Sequence, residues 1–507
     1  MVASLLSMKT VAKIDPEKEY ETAKKIIEAA IKKDRLDIDM ATSLDSSVDN
    51  LITAARILIE REERRRGKKS PPKVLKPKGR TKGDKRQDSN KLPSKRYPDL
   101  EMKEDIVYPE QPPHCPCCNE IMKESGLYDT SEKIEVIPKK YYIQRNKRPK
   151  FRCSKCHGAM VNTQAVPSVT PTSNYGDSLF IDVALSKYCD LIPIERYAQI
   201  AIRSGLPSLP PQSLIELTHH LAYFLFPVYD AIREEVLSAS ILQADETPHN
   251  MLEGDDTKNW YLWGFFSLTA CYFEAHNTRS GDVVYEVLKE SAAEYLVTDG
   301  YAGYSKARRI IKEKYDRDII EVNCNAHAYR YFEDAGIRWE AETKTFLDLY
   351  GRIYELERKR KELENKLSDE EQLKYRGQML PLFEQIKKNC EEQQENAMPE
   401  STLKKSINYY LNQYEGLVLC TTNIAIPLDN NLSEREMRAP VVGRKTWYGT
   451  HSKKGAHTTA ILFTIVQSCK LNNVNPRNYF PWIVNCIHKG ESILSPHEYF
   501  KRSPPLR

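Results

Sequence analysis

The sequence predicts a multidomain α+β protein whose largest domain is an α/β sheet carrying an all-helical insertion. Three observations lead there. The chain has 507 residues, beyond the size at which one hydrophobic core keeps growing. Three consecutive runs rich in β-branched and aromatic residues, SASILQADETPHNML, NWYLWGFFSL and ACYFEAHN, read as strands. Two further short apolar runs, YLVTDG and IIEVNCNAH, then alternate with helical periodicity.

Taken in order, residues 1–66 read as an N-terminal helical region, with apolar spacings of three and four in Glu19–Lys32 and Ser47–Arg66. Residues 67–100, rich in Lys, Pro, Gly and Ser, read as a basic flexible linker. A cysteine-bearing module follows over 101–165, and a helical region over 166–237 breaks at Pro193 and at Leu206–Pro211. The α/β domain is expected over 238–455. EGDDTK joins its first two strands, and Asp282–Ala293 reads as a helix. The last strand, IIEVNCNAH, runs into a helix at Ala328–Ala335. Three antiparallel strands, a helix, a strand, a helix and a strand is the order of an RNase H-like fold. Residues 336–415 read as helical throughout, within an insertion at about 336–422. Ile353, Leu356, Leu363 and Leu367 in a highly charged background predict an exposed helical hairpin there. IPLDNNLSEREMR supplies the helix that closes the fold, and the C-terminal region 456–507 carries one predicted helix, Thr458–Leu471.

Composition narrows the class. No run approaches the roughly 20 apolar residues of a membrane helix, and the first twenty residues lack an apolar signal core behind a basic segment. A cytoplasmic, nucleoid-associated protein is expected, with its twelve cysteines reduced. The net charge of +5 conceals an asymmetry. Arg61–Arg96 holds 16 Lys or Arg against 4 Asp or Glu, so the remainder is net acidic. A basic block on an acidic body points to a polyanion.

Four groups of residues carry chemistry. Cys115 and Cys118, then Cys153 and Cys156, form two C-x-x-C knuckles separated by 34 residues. Four thiolates close a tetrahedral shell around one structural Zn²⁺. His114, Cys117 and His157 stand one position away as competing ligands, and KYYIQRNKRPKFRC alternates like a β-hairpin joining the knuckles. Asp245 and Asp299 each end an apolar strand, where a carboxylate is costly unless something binds it. On an RNase H-like sheet those strands are neighbours. Hard oxygen ligands suit Mg²⁺ or Mn²⁺, and two such ions can activate an attacking hydroxyl and stabilise the leaving oxygen of a phosphodiester. In DNNLSER, Asn430 or Asn431 makes an N-cap and Glu434 falls in the first helical turn, beside the two aspartates. Arg435, Arg438, Arg444 and Lys445, interleaved with Trp447 and Tyr448, read as phosphate and base contacts. Cys324 and His327 lack two further ligands nearby in sequence, so they read as packing or hydrogen-bonding support. Glu246 faces away from Asp245 along the strand and is second to it.

The runs ADETP, TDGYAGY, CNAHAYRYF and DNNLSEREMRAPVVGRKTW, in this order, resemble the transposases of the insertion sequence 66 family. KLNNVNPRNYF and SKYCDLIPIERYAQIAIRSG are similar to further family segments, so the resemblance spans about residues 105–485. It implies that Asp245, Asp299 and Glu434 are a DDE triad that cleaves transposon ends and transfers strands into target DNA. It implies an N-terminal zinc domain, and double-stranded DNA as partner of a homo-oligomer, with accessory proteins of the same element. It implies a DNA-binding or connecting role for 166–237. Against it stand a zinc-containing DNA-binding regulator without activity and a structure-specific nuclease of the same fold. Three intact carboxylates favour an enzyme over the regulator, and the large helical insertion and the zinc module favour transposition over the nuclease.

Overall fold

The computed structural model describes residues 92–98, 100–109, 111, 113, 117–124, 131–151, 161–206, 209–253 and 259–502. The helices predicted at 19–32 and 47–66, and most of the basic linker, lie outside them. The chain divides into two compact units, one of residues 69–143 and one of residues 1–68 with 144–507.

In the smaller unit, a four-residue helix, Pro93–Arg96, begins on the proline whose missing N–H costs nothing at that position. Ser94 donates its amide and hydroxyl to Glu132 at 2.7 and 2.8 Å. The hairpin expected within 140–153 is not formed among the described residues. Residues 131–149 carry no strand, and in the larger unit the two-residue strand Lys150–Phe151 pairs instead with Val161–Asn162. Residues 142–151 are exposed, and an isolated ribbon that buries no alternate face is marginal in water.

Four helices lead into the sheet: α1 (Asp177–Tyr188), α2 (Ile194–Arg203), α3 (Pro211–Phe224) and α4 (Phe226–Leu237). Pro193, Pro210 and Pro211 sit at helix starts, where a proline is tolerated, and so set the predicted breaks. The sheet has five strands, β1 (Ile241–Asn250), β2 (Asn259–Phe266), β3 (Cys271–His276), β4 (Tyr295–Thr298) and β5 (Ile320–Asn323), in the spatial order β3-β2-β1-β4-β5. β1, β2 and β3 are antiparallel, whereas β4 and β5 run parallel to β1. The parallel steps need crossovers, which α5 (Gly281–Glu290) and α6 (Ala302–Tyr315) provide.

β5 ends earlier than its apolar run suggested. Asn323 is its last residue and Cys324 the hinge, so His327 belongs to α7 (Asn325–Ala335). Three residues expected as strand, 325–327, are helix instead because Asn325 turns the chain. Its side chain donates to the carbonyls of Leu417 and Leu428 at 2.9 and 3.0 Å.

The insertion is not an exposed hairpin. Helices α8 (Glu340–Leu363), α9 (Asp369–Gly377), α10 (Leu380–Gln394) and α11 (Thr402–Val418) enclose Phe346, Tyr350, Ile353, Phe383, Ile386 and Tyr410. That core is continuous with Val297 and Val322 of the sheet and Phe332 of α7. Ile353 is fully buried, while Leu356, Leu363 and Leu367 are only half-covered at its margin.

Helix α12 (Asn431–Trp447) then crosses β1 and β2, and α13 (Lys453–Leu471) lies along the outer edge of β3. Thr464 and Ser468 of α13 accept the amides of Phe273 and Cys271 at 2.9 and 3.0 Å. The edge strand is thereby satisfied and closed to further pairing. Two helices absent from the sequence reading follow, α14 (Pro476–Lys489) and α15 (Pro496–Arg502). No helix among the described residues is long and apolar enough to cross a membrane.

Candidate active site

The site is set by strand register. β1 pairs with β4 at Ile241–Tyr295, Leu242–Leu296 and Gln243–Val297. Carrying that offset two residues further brings Asp245 level with Asp299, just beyond the end of β4. Asp299 opens a tight turn. Gly300 has φ +86°, a conformation that favours glycine, and the Tyr301 amide donates to Asp299 Oδ1 at 2.9 Å.

The third element arrives because of a glycine. Across β1 and β2, Asp245 pairs with Gly264. A Cβ on Gly264 would stand 2.4 Å from Phe266 Cζ and 2.9 Å from Met437 Sδ. With hydrogen there, α12 lies close over this part of the sheet. Met437 and Glu434 are three residues apart and share a helix face. Asn430 occupies the N-cap place of α12, but its side chain makes no cap. It donates instead to the Ala244 carbonyl at 3.2 Å, and its amide donates to Cys324 Sγ at 3.1 Å. The start of α12 is thus pinned to the residue before Asp245 and to the end of β5.

Four carboxylates collect at this edge, and their cations are unevenly shared. Glu246 is held by Arg279 at 2.6 Å and by the Tyr304 hydroxyl at 2.5 Å. Glu434 receives Arg330 Nη2 on both oxygens at 2.6 Å. Asp245 and Asp299 have no cation within 4.0 Å among the described residues. Asp245 accepts only the Glu246 amide, at 2.8 Å. Burial, followed by the charges of Glu246, Asp299 and Glu434, pushes its carboxyl up to about 7. Three neighbouring acids therefore act on Asp245, which places Asp245, Asp299 and Glu434 within electrostatic reach of one another. Asp245 is not at a strand end as the sequence suggested: β1 continues to Asn250 because residues 246–250 go on pairing with β2. Asp245 within β1 and Asp299 just beyond β4, neither with a cation among the described residues, still offer adjacent oxygen donors that fit a hard divalent cation.

Cys324, His327 and Glu434 bring ligand atoms within 4.8 Å of one another. Burial pushes the Cys324 thiol up to about 12, so it stays protonated while it accepts the Asn430 amide. His327 is lowered by burial and by Arg330, and its Nε2 lies 3.4 Å from Arg330 Nη1 and 3.7 Å from Glu434 Oε1. The carboxylate of this trio already carries the Arg330 guanidinium.

Along α12 the basic residues divide by helical periodicity. Arg435, Arg438, Val442 and Lys445 are exposed on one face, whereas Ser433, Glu436, Met437, Pro440 and Gly443 are buried on the other. Arg444 is half-buried, and its Nε has no partner among the described residues. Trp447 is not turned outward as the sequence suggested. It packs under Lys187, whose Nζ stands 4.3 Å from its ring centre, and edge-on to Tyr188. The large indole is drawn into the layer between α1 and α12, leaving Tyr448, 72% exposed, as the aromatic presented there. Arg330 is the site residue that sequence reasoning missed, although C-x-x-H-x-x-R places it one turn after His327. Of the four predicted zinc ligands, Cys115, Cys153 and Cys156 lie outside the described residues; Cys118 is exposed.

The sequence model of the IS66 family of transposases matches residues 172–458, which contain the whole of this edge. The chain belongs to that family. The zinc-finger binding domain of IS66 transposases matches residues 112–157, around both knuckles, so the chain also carries a zinc-binding domain. Among curated proteins it is similar to the uncharacterized protein y4hP of Sinorhizobium fredii, at 26% identity over 78% of this chain and 73% of the relative. It is also similar to the uncharacterized protein y4qI of the same organism, at 27% identity over 77% and 73%.

Proposed function

We propose that the chain is the DNA transposase of an insertion sequence, in which Asp245, Asp299 and Glu434 hold two divalent cations, Mg²⁺ or Mn²⁺, for cleavage of transposon ends and strand transfer. The observation that carries this reading is the pair of aspartates with no cation partner among the described residues, Asp245 within β1 and Asp299 just beyond β4, with Glu434 in the first turn of the helix above them. The strand order β3-β2-β1-β4-β5, antiparallel then parallel, supports an RNase H-like catalytic domain over 238–455. Cations bound there would supply activation of the attacking hydroxyl and charge neutralisation at the leaving oxygen. The chain's own part is to place the acids, keep Glu246 apart on Arg279, and offer Arg435, Arg438 and Lys445 to phosphates. In the same reading Arg444 supports that face from within, one structural Zn²⁺ sits on Cys115, Cys118, Cys153 and Cys156, and the basic linker adds sequence-independent DNA affinity. A homo-oligomer on DNA, served by accessory proteins of the element, completes it.

The test is cleavage of a labelled transposon-end duplex in Mg²⁺ or Mn²⁺, beside a binding assay on the same DNA. Asp245→Asn, Asp299→Asn and Glu434→Gln each lower cleavage by several orders of magnitude while binding persists. A Glu434→Gln protein that cleaves like the parent removes Glu434 from the triad.

A further inference from the structure

Glu434 is the one member of the proposed triad that already has a strong partner. Arg330 Nη2 reaches both of its oxygens at 2.6 Å, and His327 Nε2 flanks the same guanidinium at 3.4 Å. A carboxylate filled by a guanidinium is a poor ligand for a cation, because the two positive charges compete for the same lone pairs. Yet Asp245 and Asp299, its neighbours, are paired with no cation among the described residues. The uneven sharing means that the edge is acidic enough to attract a divalent ion but lacks a free third ligand. Arg330 also has somewhere else to go. Its side chain remains 40% exposed, and it belongs to a site whose outer face displays Arg435 and Arg438. A guanidinium fork that fits a carboxylate fits a phosphate equally well.

We propose that Arg330 is a positioning residue that masks Glu434 until a DNA phosphate draws the guanidinium away, so that cation binding and DNA binding reinforce each other. This rests on the assignment of Asp245, Asp299 and Glu434 to the cation site. Without DNA, cation and Arg330 exclude one another at Glu434. With DNA, Arg330 exchanges one anionic partner for another, and Glu434 is released toward the aspartates. The arrangement would keep the site from assembling on a protein with no DNA in it. By linkage, whatever factor DNA adds to cation affinity, the cation adds to DNA affinity.

The experiment uses the full chain and Mn²⁺ as probe, read by electron paramagnetic resonance of the free ion and by calorimetry, so that no turnover is needed. In the absence of DNA, Arg330→Gln binds Mn²⁺ about tenfold more tightly than the parent, on the order of one partly exposed ion pair. Arg330→Lys keeps the charge but loses the two-oxygen grip, and falls between the two. In a parallel arm, affinity for a random-sequence duplex is measured by fluorescence anisotropy with and without Mn²⁺ at fixed ionic strength. Mn²⁺ tightens the parent on DNA and leaves Arg330→Gln unchanged. If Arg330→Gln and Arg330→Lys bind Mn²⁺ no more tightly than the parent while Asp245→Asn abolishes binding, the masking role is wrong and the cation site stands. If Asp245→Asn leaves Mn²⁺ binding intact, the cation site itself is wrong and the inference falls with it.

Discussion

Glu357 and Asp245 are both carboxylates withdrawn from solvent, and they have opposite surroundings. Glu357, on α8 within the insertion, accepts Arg360 Nε and Nη2 at 3.0 and 2.9 Å, and Arg376 Nε and Nη2 at 3.2 and 2.9 Å. Arg376 Nη1 continues to the carbonyls of Cys420, Asn423, Ile424 and Ile426, closing the loop before α12. Burial works against this carboxylate, but hydrogen bonds from the two arginines hold it below the ordinary range. One acid is thus matched by two bases and a row of carbonyls. At Asp245 the count is reversed: burial and three acids push the carboxyl up to about 7. A buried charge whose partners are all present is spent on structure. A buried charge left without a counterion is free for a ligand, and perturbed groups of that second kind gather at functional sites.

The comparison breaks first at its structural end. Glu357→Gln removes the anion shared by two nearly enclosed guanidiniums, leaving Arg360 only the more distant Glu364 at 3.5 Å. Loss of one member of a buried ion network costs about 3–5 kcal/mol, and the urea midpoint should fall accordingly with little change in slope. A shift no larger than that of a surface substitution would mean that the carbonyls alone hold Arg376, and that the match at Glu357 is incidental.

A buried base gives the same contrast through pH. His249 is 4% exposed, shares a 3.1 Å hydrogen bond with the Thr450 hydroxyl, and is lowered to about 4 by burial and then by the charges of Arg444 and Lys187. Its folded pKa lies below the unfolded value, so the unfolded chain binds the extra proton. Its contribution is complete above about pH 6.5, declines as the pH falls, and is gone below about 4, amounting to about 3 kcal/mol across the window. His219, lowered to about 4 chiefly by burial, acts in the same direction. His249→Gln should flatten the acid limb of a stability–pH curve; an unchanged limb would show that His249 is protonated in the folded protein.

Gly264→Ala probes how closely α12 must approach the sheet. The added carbon meets Phe266 and Met437, and overpacking of this kind costs about 1–3 kcal/mol. Because Met437 shares its face with Glu434, the proposed function predicts that DNA cleavage falls while DNA binding remains. Cleavage at the parental rate would show that α12 can lift without displacing Glu434.

Much of this is written in local sequence, and the remainder is not, for identifiable reasons. The strands and their order along the chain follow from periodicity, and Asp299 just past β4 from the cost of a carboxylate at the end of an apolar run; Asp245 does not end β1, because pairing with β2 carries that strand on to Asn250. The Arg330–Glu434 pair joins residues 104 apart, which no local pattern registers. Glu357, Arg360 and Arg376 read as surface charges because their burial comes from helices packing around Ile353 and Tyr350, not from their own spacing. The α14 helix was hidden by Pro476 and Pro481. The first sits harmlessly at its start, capped by Asn475, but both resemble breakers. Trp447 misled because exposure is a property of the layer it meets, here Lys187 and Tyr188, and not of the basic residues around it.

The smallest predicted effect has the opposite sign to that at Glu357, and it tests the functional end of the comparison. In chelator, Asp245→Asn removes a charge that burial and three neighbouring acids oppose. The folded carboxyl lies above its unfolded value, so the folded state binds the extra proton, and the ionised form weakens folding as the pH rises through about 7. The gain from the substitution at pH 8 should be about 1–2 kcal/mol, smaller than the shift alone implies. The shortfall arises because the Glu246 amide loses its charged acceptor at 2.8 Å and an amide oxygen replaces it. At pH 5 the gain should shrink, since the parent is then protonated when folded. Saturating Mn²⁺ should stabilise the parent and not the variant, reversing their order. If Asp245→Asn is instead destabilising in chelator at pH 8, the charge at Asp245 is compensated after all, and the contrast with Glu357 fails where it matters for function.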